Sequence, residues 1–348
     1  RLEQGTHNPL VVGSNPSGPT RRESTPGLRL ISIGLIGGSN ERMETIFKKI
    51  EAGLAETDAG EGDSRRLFHG RGKTFPGFEF LTIDWFDRIL LVTFFDEPDL
   101  DWEREFLGRF RSKQTNESVS CVLLQRRYLK GTPVETVCGE APDQAFALRK
   151  GLRFGLNLKT GQNTGFFLDM EPGRVWLEER CKGKRVLNLF AYTCAFSVVA
   201  IAGRAEHVVN VDMSSSALNR GRENHRQNEL PARMISYIAC NVLKSWGRIK
   251  RQGPYDLIVM DPPSFQRGSF EAKRDYAKVA KRLPELLVSR GEVLACLNAP
   301  ELRTDFLTEV FARGAPDLRF VERLEPSSDF PDIDSERQLK LMVFRKRL

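Results

Sequence analysis

Four apolar residues, Leu257 to Met260, run directly into Asp261-Pro262-Pro263-Ser264-Phe265. Proline lacks an N–H, fixes its own φ and biases the residue before it towards an extended conformation, so a strand ending this way is stiff and cannot extend its ladder. A carboxylate, free carbonyls and an aromatic ring are thereby held at one strand tip. That set can attract a cation, accept a proton or hydrogen bond, and offer a stacking face. Asn188, Asp212 and Asn241 each follow or close another apolar run, and the question is what brings these tips together.

From residue 184 onward the pattern alternates strand and helix. "KRVLNLF" reads as a buried strand, "TCAFSVVAIAG" as a small-residue helix ended by Gly203, and "HVVNVD" as a strand ending on Asp212. "SSSALNRGRENHRQN" is a serine-capped helix, followed by strand "ARMISYIAC", helix "VLKSWGRIK" and strand "YDLIVM". "AKRDYAKVAKRLPELLVSRG" has the period of an amphipathic helix bent at Pro284, and "EVLACLN" is a fifth strand. Repeated βα units predict a parallel sheet with helices on both faces and ligands at the carboxyl ends of its strands.

A dinucleotide site would need G-x-G-x-x-G after the first strand, so that backbone can approach a pyrophosphate. The loop here, "NLFAYTCAFS", has no glycine, whereas Asp212 stands 24 residues beyond Asn188, near the usual distance for a carboxylate that receives ribose hydroxyls. A nucleoside without phosphates fits both facts, and S-adenosylmethionine is a cofactor of that kind.

"VLNLFAYTCAFSVVA", "VVNVDMSSSAL", "YDLIVMDPPSF", "TGQNTGFFLDM" and, before the final strand, "SSDFP" together resemble the class I S-adenosylmethionine-dependent methyltransferases that act on 23S ribosomal RNA. The resemblance runs from about residue 150 to the end. It is nearest to the branch with a guanine-N7 methyltransferase domain, with the cytosine-C5 branch next. It implies a Rossmann-like α/β sheet with helices on both faces over 151–348; the pattern ahead of it, over 43–150, reads as a small α/β domain that could bind substrate. It also implies roles: Asn188, Phe190, Ala191, Tyr192 and Thr193 around the methionine end of the cofactor, Asp212 on the ribose and Met213 against the adenine. Asn241 stands where many relatives have an aspartate for the adenine amino group, and Cys194-Ala195 where they commonly have glycine. Asp261, Pro262, Pro263, Ser264 and Phe265 would face the transferred methyl, and Thr164, Phe166, Phe167 and Asp169 would close the site. At a period of two, one of Phe166 and Phe167 is expected in the core.

Methylating cytosine C5 needs a cysteine that adds to the ring. In the cytosine branch it follows the fifth strand, where this chain has Ala299, and Cys296 reads as a packing residue inside the strand. A ring nitrogen such as guanine N7 already carries a lone pair and needs no base, while an exocyclic amine must also lose a proton, for which Asp261 or a proline carbonyl could serve. The expectation is methyl transfer to a base of RNA, most simply guanine N7 of 23S ribosomal RNA. A protein or small-molecule methyltransferase, and a non-catalytic RNA-binding protein with a decayed pocket, are the alternatives.

Composition bounds this without deciding it. The 348 residues are 40% hydrophobic and 28% charged, enough for two domain cores, and 53 Lys+Arg against 46 Asp+Glu give +7, compatible with an RNA partner. Six cysteines lack any C-x-x-C pair and there are four histidines, which argues against a zinc site or disulfide framework and for a reducing cytoplasm. No apolar run approaches the roughly 20 residues of a membrane span. Residues 1–42, rich in Gly, Pro, Ser and Thr ahead of the first methionine, Met43, read as a spurious or disordered extension. A helix follows at "METIFKKIEAGLAET", then a linker, "DAGEGDSRR". Antiparallel strands "FEFLTIDWF" and "RILLVTFF" turn at Asp87, a helix carries Trp102, Phe106, Leu107 and Phe110 on a core-facing stripe, and "SVSCVLLQRRYL" and "LRFGLNL" are further strands.

Overall fold

The computed structural model describes residues 39–57, 62–112, 118–159, 161–266 and 268–348, and Ser39 to Leu348 form one compact unit. The extension expected at 1–42 lies outside the described residues as far as residue 38. Residues 39–42 are instead the first turn of helix α1 (Ser39–Ala55), which starts ahead of Met43.

The first sheet contains β1 (Arg65–His69), β2 (Leu81–Phe86), β3 (Ile89–Phe94), β4 (Cys121–Arg126) and β5 (Val134–Gly139), in that order. Asp87 and Arg88 both take positive φ, 42° and 72°, as a two-residue hairpin turn requires, and β2 and β3 pair antiparallel. β3 and β4 are parallel, joined by helix α2 (Leu100–Ser112). Side chains alternate across this sheet. Leu90, Val92, Phe94, Val122 and Leu124 bury one face under α1 and α2, where Trp102 stacks on Phe106 at 4.6 Å and Phe106, Leu107 and Phe110 are buried, so the aromatic stripe is core. Ile89, Leu91, Cys121 and Leu123 face the opposite way and share a core with the rest of the chain. Strand β1 takes up Arg65 and Arg66, the end of the expected linker, and β5 was not signalled because its side chains are mostly exposed.

A hairpin of β6 (Ala145–Arg149) and β7 (Leu152–Leu156) leads to helix α3 (Glu171–Arg180) and the second sheet. Its strands are β8 (Arg185–Leu189), β9 (His207–Asp212), β10 (Ile235–Ala239), β11 (Tyr255–Met260), β14 (Leu287–Leu297), β15 (Leu318–Arg323) and β16 (Lys340–Lys346). The intervening helices are α4 (Ala195–Ala202), α5 (Ser215–Gln227), α6 (Trp246–Lys250), α7 (Ala272–Ala280) and α8 (Thr304–Gly314), and a short hairpin, β12 (Phe265–Gln266) with β13 (Phe270–Glu271), follows β11. The sheet order is β10-β9-β8-β11-β14-β16-β15, parallel except at β16. Chain order reverses between β8 and β11, which opens a crevice at their carboxyl ends.

The bent helix expected through Pro284 does not form. α7 stops at Ala280, and the apolar run before Arg290 enters β14, where Leu287 pairs with Tyr255 and the Tyr255 N–H donates to the Leu286 carbonyl. Leu283, Leu286 and Leu287 are buried; burial and sheet pairing outweigh a helical period that proline already weakens.

The two sheets are joined by apolar packing. Phe86, Ile89, Leu91, Cys121 and Leu123 of the first meet Phe154 and Leu156 of the hairpin, Phe166, Leu168, and Val198 and Val199 of α4. Among the described residues no helix is long and apolar enough to cross a membrane, and no His/Cys/Asp/Glu cluster could hold a metal ion.

Candidate active site

The loop from β8 to α4 is built from residues that resist its shape. Phe190, Tyr192 and Cys194 have φ of 59°, 47° and 63°, and none is glycine. Left-handed backbone costs such residues on the order of 1–2 kcal/mol each, so the surroundings must hold it. Asp212, at the tip of β9, does so from one side: its Oδ2 accepts the Tyr192 N–H at 2.8 Å and its Oδ1 the Ser214 N–H at 2.7 Å. Thr193 Oγ1 donates to the Gly165 carbonyl at 2.6 Å, and Asn224 Nδ2 donates to the Thr193 carbonyl. Ser214 caps α5 by accepting from the Ala217 N–H.

At the crevice lies a cavity of about 480 Å³, within the range of small-molecule sites. It brings together twelve of the residues singled out in the sequence: Phe167, Asp169, Phe190, Tyr192, Asp212, Met213, Asn241, Asp261, Pro262, Pro263, Ser264 and Phe265. Met213 and Phe265 are among the few exposed large apolar side chains, as is Phe167, which rings against Tyr192 at 5.6 Å. Asn241 Oδ1 accepts the Leu243 N–H at 2.9 Å, which orients its amide and leaves one lone pair free.

Five expected residues lie elsewhere. Asn188 is buried and donates to Asn210 Oδ1, Ala191 packs on Cys194 and Leu218, and Thr193 makes the tie to Gly165. Phe166 is the core member of its pair, tilted on Phe154 at 4.6 Å with the Arg174 guanidinium over its ring at 4.1 Å; the cavity-facing partner is Phe167. Thr164 donates to the Phe166 carbonyl. Both Thr164 and Phe166 line a second cavity, of about 400 Å³, which shares Asn163, Phe167, Asp169 and Asn298 with the first.

Asp261, partly buried, lines the first cavity, and burial, reinforced by the Asp169 carboxylate and opposed by Arg174, pushes its pKa up to about 7. Burial raises Asp169 too, against Arg66 and Arg174. Cys296, fully buried in β14, is a protonated thiol raised by burial and by these same carboxylates. Asn298 was missed by the sequence analysis, although it stands just past the tip of β14 and the strand-tip rule that found Asp261 applies to it. Phe270, facing Phe190 at 5.2 Å from the short hairpin, gave no such signal.

A sheet of this order, with acidic strand tips around a nucleoside-sized cavity and an Asp-Pro-Pro tip, defines a class I methyltransferase. The chain belongs to the S-adenosylmethionine-dependent methyltransferase family, whose model matches residues 65–345. It is 28% identical over 296 residues to ribosomal RNA large subunit methyltransferase I of Yersinia pseudotuberculosis serotype O:1b (strain IP 31758), covering 80% of this chain and 72% of that one. Its fold is similar to that of SMU.776, solved in complex with S-adenosylhomocysteine (24% identity, TM-score 0.78, 90% and 83% of the two chains), and of aTrm5, solved with tRNA-Leu (13% identity, TM-score 0.56, 80% and 76%). S-Adenosylmethionine is therefore the cofactor.

The strained loop makes a steric prediction. A Cβ on Gly221 of α5 would collide with Cys194 Sγ and Cβ. Although Gly→Ala within a helix ordinarily stabilises, Gly221→Ala should here destabilise by about 1–3 kcal/mol through overpacking. Adding Cys194→Gly removes the obstacle and the left-handed side chain together. Urea unfolding should show the double variant recovering most of the loss; equal loss in both would mean that Cys194 does not set the fit.

Proposed function

We propose that this methyltransferase acts on a base of RNA, with large-subunit ribosomal RNA as substrate and guanine N7 as acceptor. The observation that carries the choice of atom is the lack of a thiol where cytosine C5 chemistry needs one. Ala299 follows β14, Cys296 is sealed inside it, and Tyr276 donates to the Cys296 carbonyl. Cys240 lines the cavity at the tip of β10, but that is three strands from β11, about 14 Å at ordinary strand spacing. The RNA assignment is supported by the ribosomal RNA methyltransferase among its relatives and by the +7 charge.

In this reading the Asp212 carboxylate, already aimed by two backbone N–H groups, keeps lone pairs for the ribose hydroxyls. Met213 and Asn241 meet the adenine, and the loop from Phe190 to Thr193 bounds the methionine end. When bound, the cofactor supplies a sulfonium-activated methyl: the N7 lone pair forms the new N–C bond while the C–S electron pair stays on sulfur. Positive charge passes to the purine and no proton need leave. Positioning then supplies most of the rate, for which orientation can contribute about 7–11 kcal/mol. The Asp261 carboxylate can stabilise that charge on both sides of the transfer, and the open 480 Å³ cavity favours catalysis over a decayed pocket.

Three outcomes are expected. Ribosomal RNA from a strain lacking the gene, mapped by mass spectrometry, should miss one methyl on guanine N7; an intact methylation pattern would sink the assignment, and a missing methyl on another atom would sink N7. By calorimetry, Asp212→Ala should weaken S-adenosylmethionine by roughly 100-fold, about 3 kcal/mol for charge-assisted bonds to two hydroxyls. Asp212→Asn, which keeps one acceptor, should lose less. Asp261 is neutral below its pKa of about 7 and anionic above it. The preference for cationic S-adenosylmethionine over neutral S-adenosylhomocysteine should therefore rise on the order of tenfold from pH 6 to pH 8, and stay flat in Asp261→Asn.

A further inference from the structure

The second cavity has a polar floor on a sheet face that, Asp84 apart, is otherwise apolar. Thr82 of β2 is directly opposite Thr93 of β3, and Thr93 is opposite Gln125 of β4. All three are buried, and together they make one row across three strands on the face that, further along, packs Phe86, Ile89 and Cys121 against the rest of the chain. Gln125 Nε2 donates to the Gly161 carbonyl at 3.1 Å, but Thr82 Oγ1, in a residue only 1% exposed, has no hydrogen-bond partner and lines the cavity. A buried hydroxyl left unpaired is destabilising; this one is almost fully covered, so a ligand in the cavity would reach it only with a local shift of the Thr82 side chain.

The opposite wall is the segment between β15 and β16, fastened to the first sheet. Gly72 lies so close to the Pro331 carbonyl that a Cβ would not fit, the Ile333 N–H donates to the Gly72 carbonyl, and Arg65 pairs with Asp329 at 2.8 Å. Arg66, forked on Asp84 at 2.7 and 2.9 Å, stacks over Phe330 at 4.5 Å. Two further guanidinium groups lining the cavity are not neutralised in this way. Arg71 and Arg127 both pack on the Phe95 ring, at 4.2 and 5.0 Å, and no carboxylate lies within ion-pair distance of either among the described residues. Asp332 and Arg337 also line this cavity, and Asp96 lies near enough to Arg71 to act on it electrostatically. Burial lowers both arginine pKa values, at Arg71 against Asp96 and with help from Arg66 and Arg337, at Arg127 with help from Arg71 and Arg66; an anion beside them would oppose these shifts.

We propose that this cavity receives the target nucleotide, everted from its RNA strand, with the base on the Thr82–Thr93–Gln125 row and its phosphate on Arg71 and Arg127. Chemistry on a stacked base requires such extrusion, and the cavity's volume of about 400 Å³ suits one nucleotide. Because Phe167, Asp169 and Asn298 line both cavities, a base held here points its acceptor edge at the methyl side of the first. The inference rests on the RNA reading above.

The test uses full-length chain, tritiated S-adenosylmethionine and ribosomal RNA from a strain lacking the gene. Relative to wild type, Arg71→Ala/Arg127→Ala should raise the KM for RNA at least tenfold, lower the logarithmic salt slope of RNA binding by about one per lost phosphate contact, and leave S-adenosylmethionine affinity within twofold. Arg71→Lys/Arg127→Lys should restore part of the loss. Thr82→Val, nearly isosteric, should melt no lower than wild type yet turn over RNA several-fold more slowly, a combination that a merely structural threonine would not produce. Normal RNA KM in the double alanine variant, or cofactor binding lost along with it, would overturn the pocket while leaving the RNA reading intact. Wild-type chain that methylates only protein, or no RNA at all, would remove both.

Discussion

One carboxylate holds the first cavity in shape. Asp212 accepts from Tyr192 on the loop after β8 and from Ser214 at the start of α5, so the strained turn and the helix cap share a single acceptor. Without it, the three left-handed non-glycine residues, at alternate positions, would have Thr193, Asn224 and the backbone to keep them there. The same two bonds fix where the remaining lone pairs point. Geometry that a ligand could otherwise have to impose is thus present beforehand, which lowers the ordering cost of binding.

Beneath that loop runs a line of buried donors. Asn188 donates to Asn210, Asn210 to Ser197, Ser197 to His225 Nε2, and His225 Nδ1 to the Gly221 carbonyl, with Tyr237 closing on the same nitrogen at 2.9 Å. Burial lowers the His225 pKa to about 4, so the imidazole is neutral near pH 7; with its Nδ1–H on the Gly221 carbonyl, Nε2 is left to accept from Ser197. The chain of bonds crosses β8, β9, α4 and α5, so the tips carrying Asp212 and the first loop are locked in register from below. Such networks specify one arrangement when every member is satisfied.

This explains what the sequence disclosed and what it hid. Asp212, Asn241 and Asp261 were legible because a parallel sheet presents its carboxyl ends to ligand, whatever the register. Asn188 satisfies the same rule by position but not by direction: it is one residue short of the end of β8, and alternation turns it to the helix side, onto Asn210. For Phe166 and Phe167, period two requires that one be buried, but the choice is made by Phe154 and Arg174, which are distant in sequence or on another element. The run at 283–287 has a helical period, and only its pairing with β11 makes part of it a strand. The second cavity was invisible for a similar reason. Thr82, Thr93 and Gln125 read singly as ordinary outward polar positions, and they become a row only through the β2-β3-β4 register.

The two cavities also differ in how their charges are arranged, and the difference suits a reaction between a cation and a polyanion. Burial pushes Asp169, in the shared wall, and Asp261, in the first cavity, towards neutrality, so that neither strongly repels an incoming phosphate. A sulfonium placed nearby would favour the ionised Asp261, because an opposite charge in a poorly solvated site lowers a carboxyl pKa. Cofactor would then establish the anionic wall that a positively charged methyl group prefers. Across the second cavity, Arg71 and Arg127 have no carboxylate within ion-pair distance among the described residues. The fold keeps these opposing charges apart by placing them on different layers, acidic tips on the second sheet and arginines on the first. The apolar contact of Leu91 and Leu123 with Val198 and Val199 holds those layers together, so loosening it would misalign acceptor and donor without touching either.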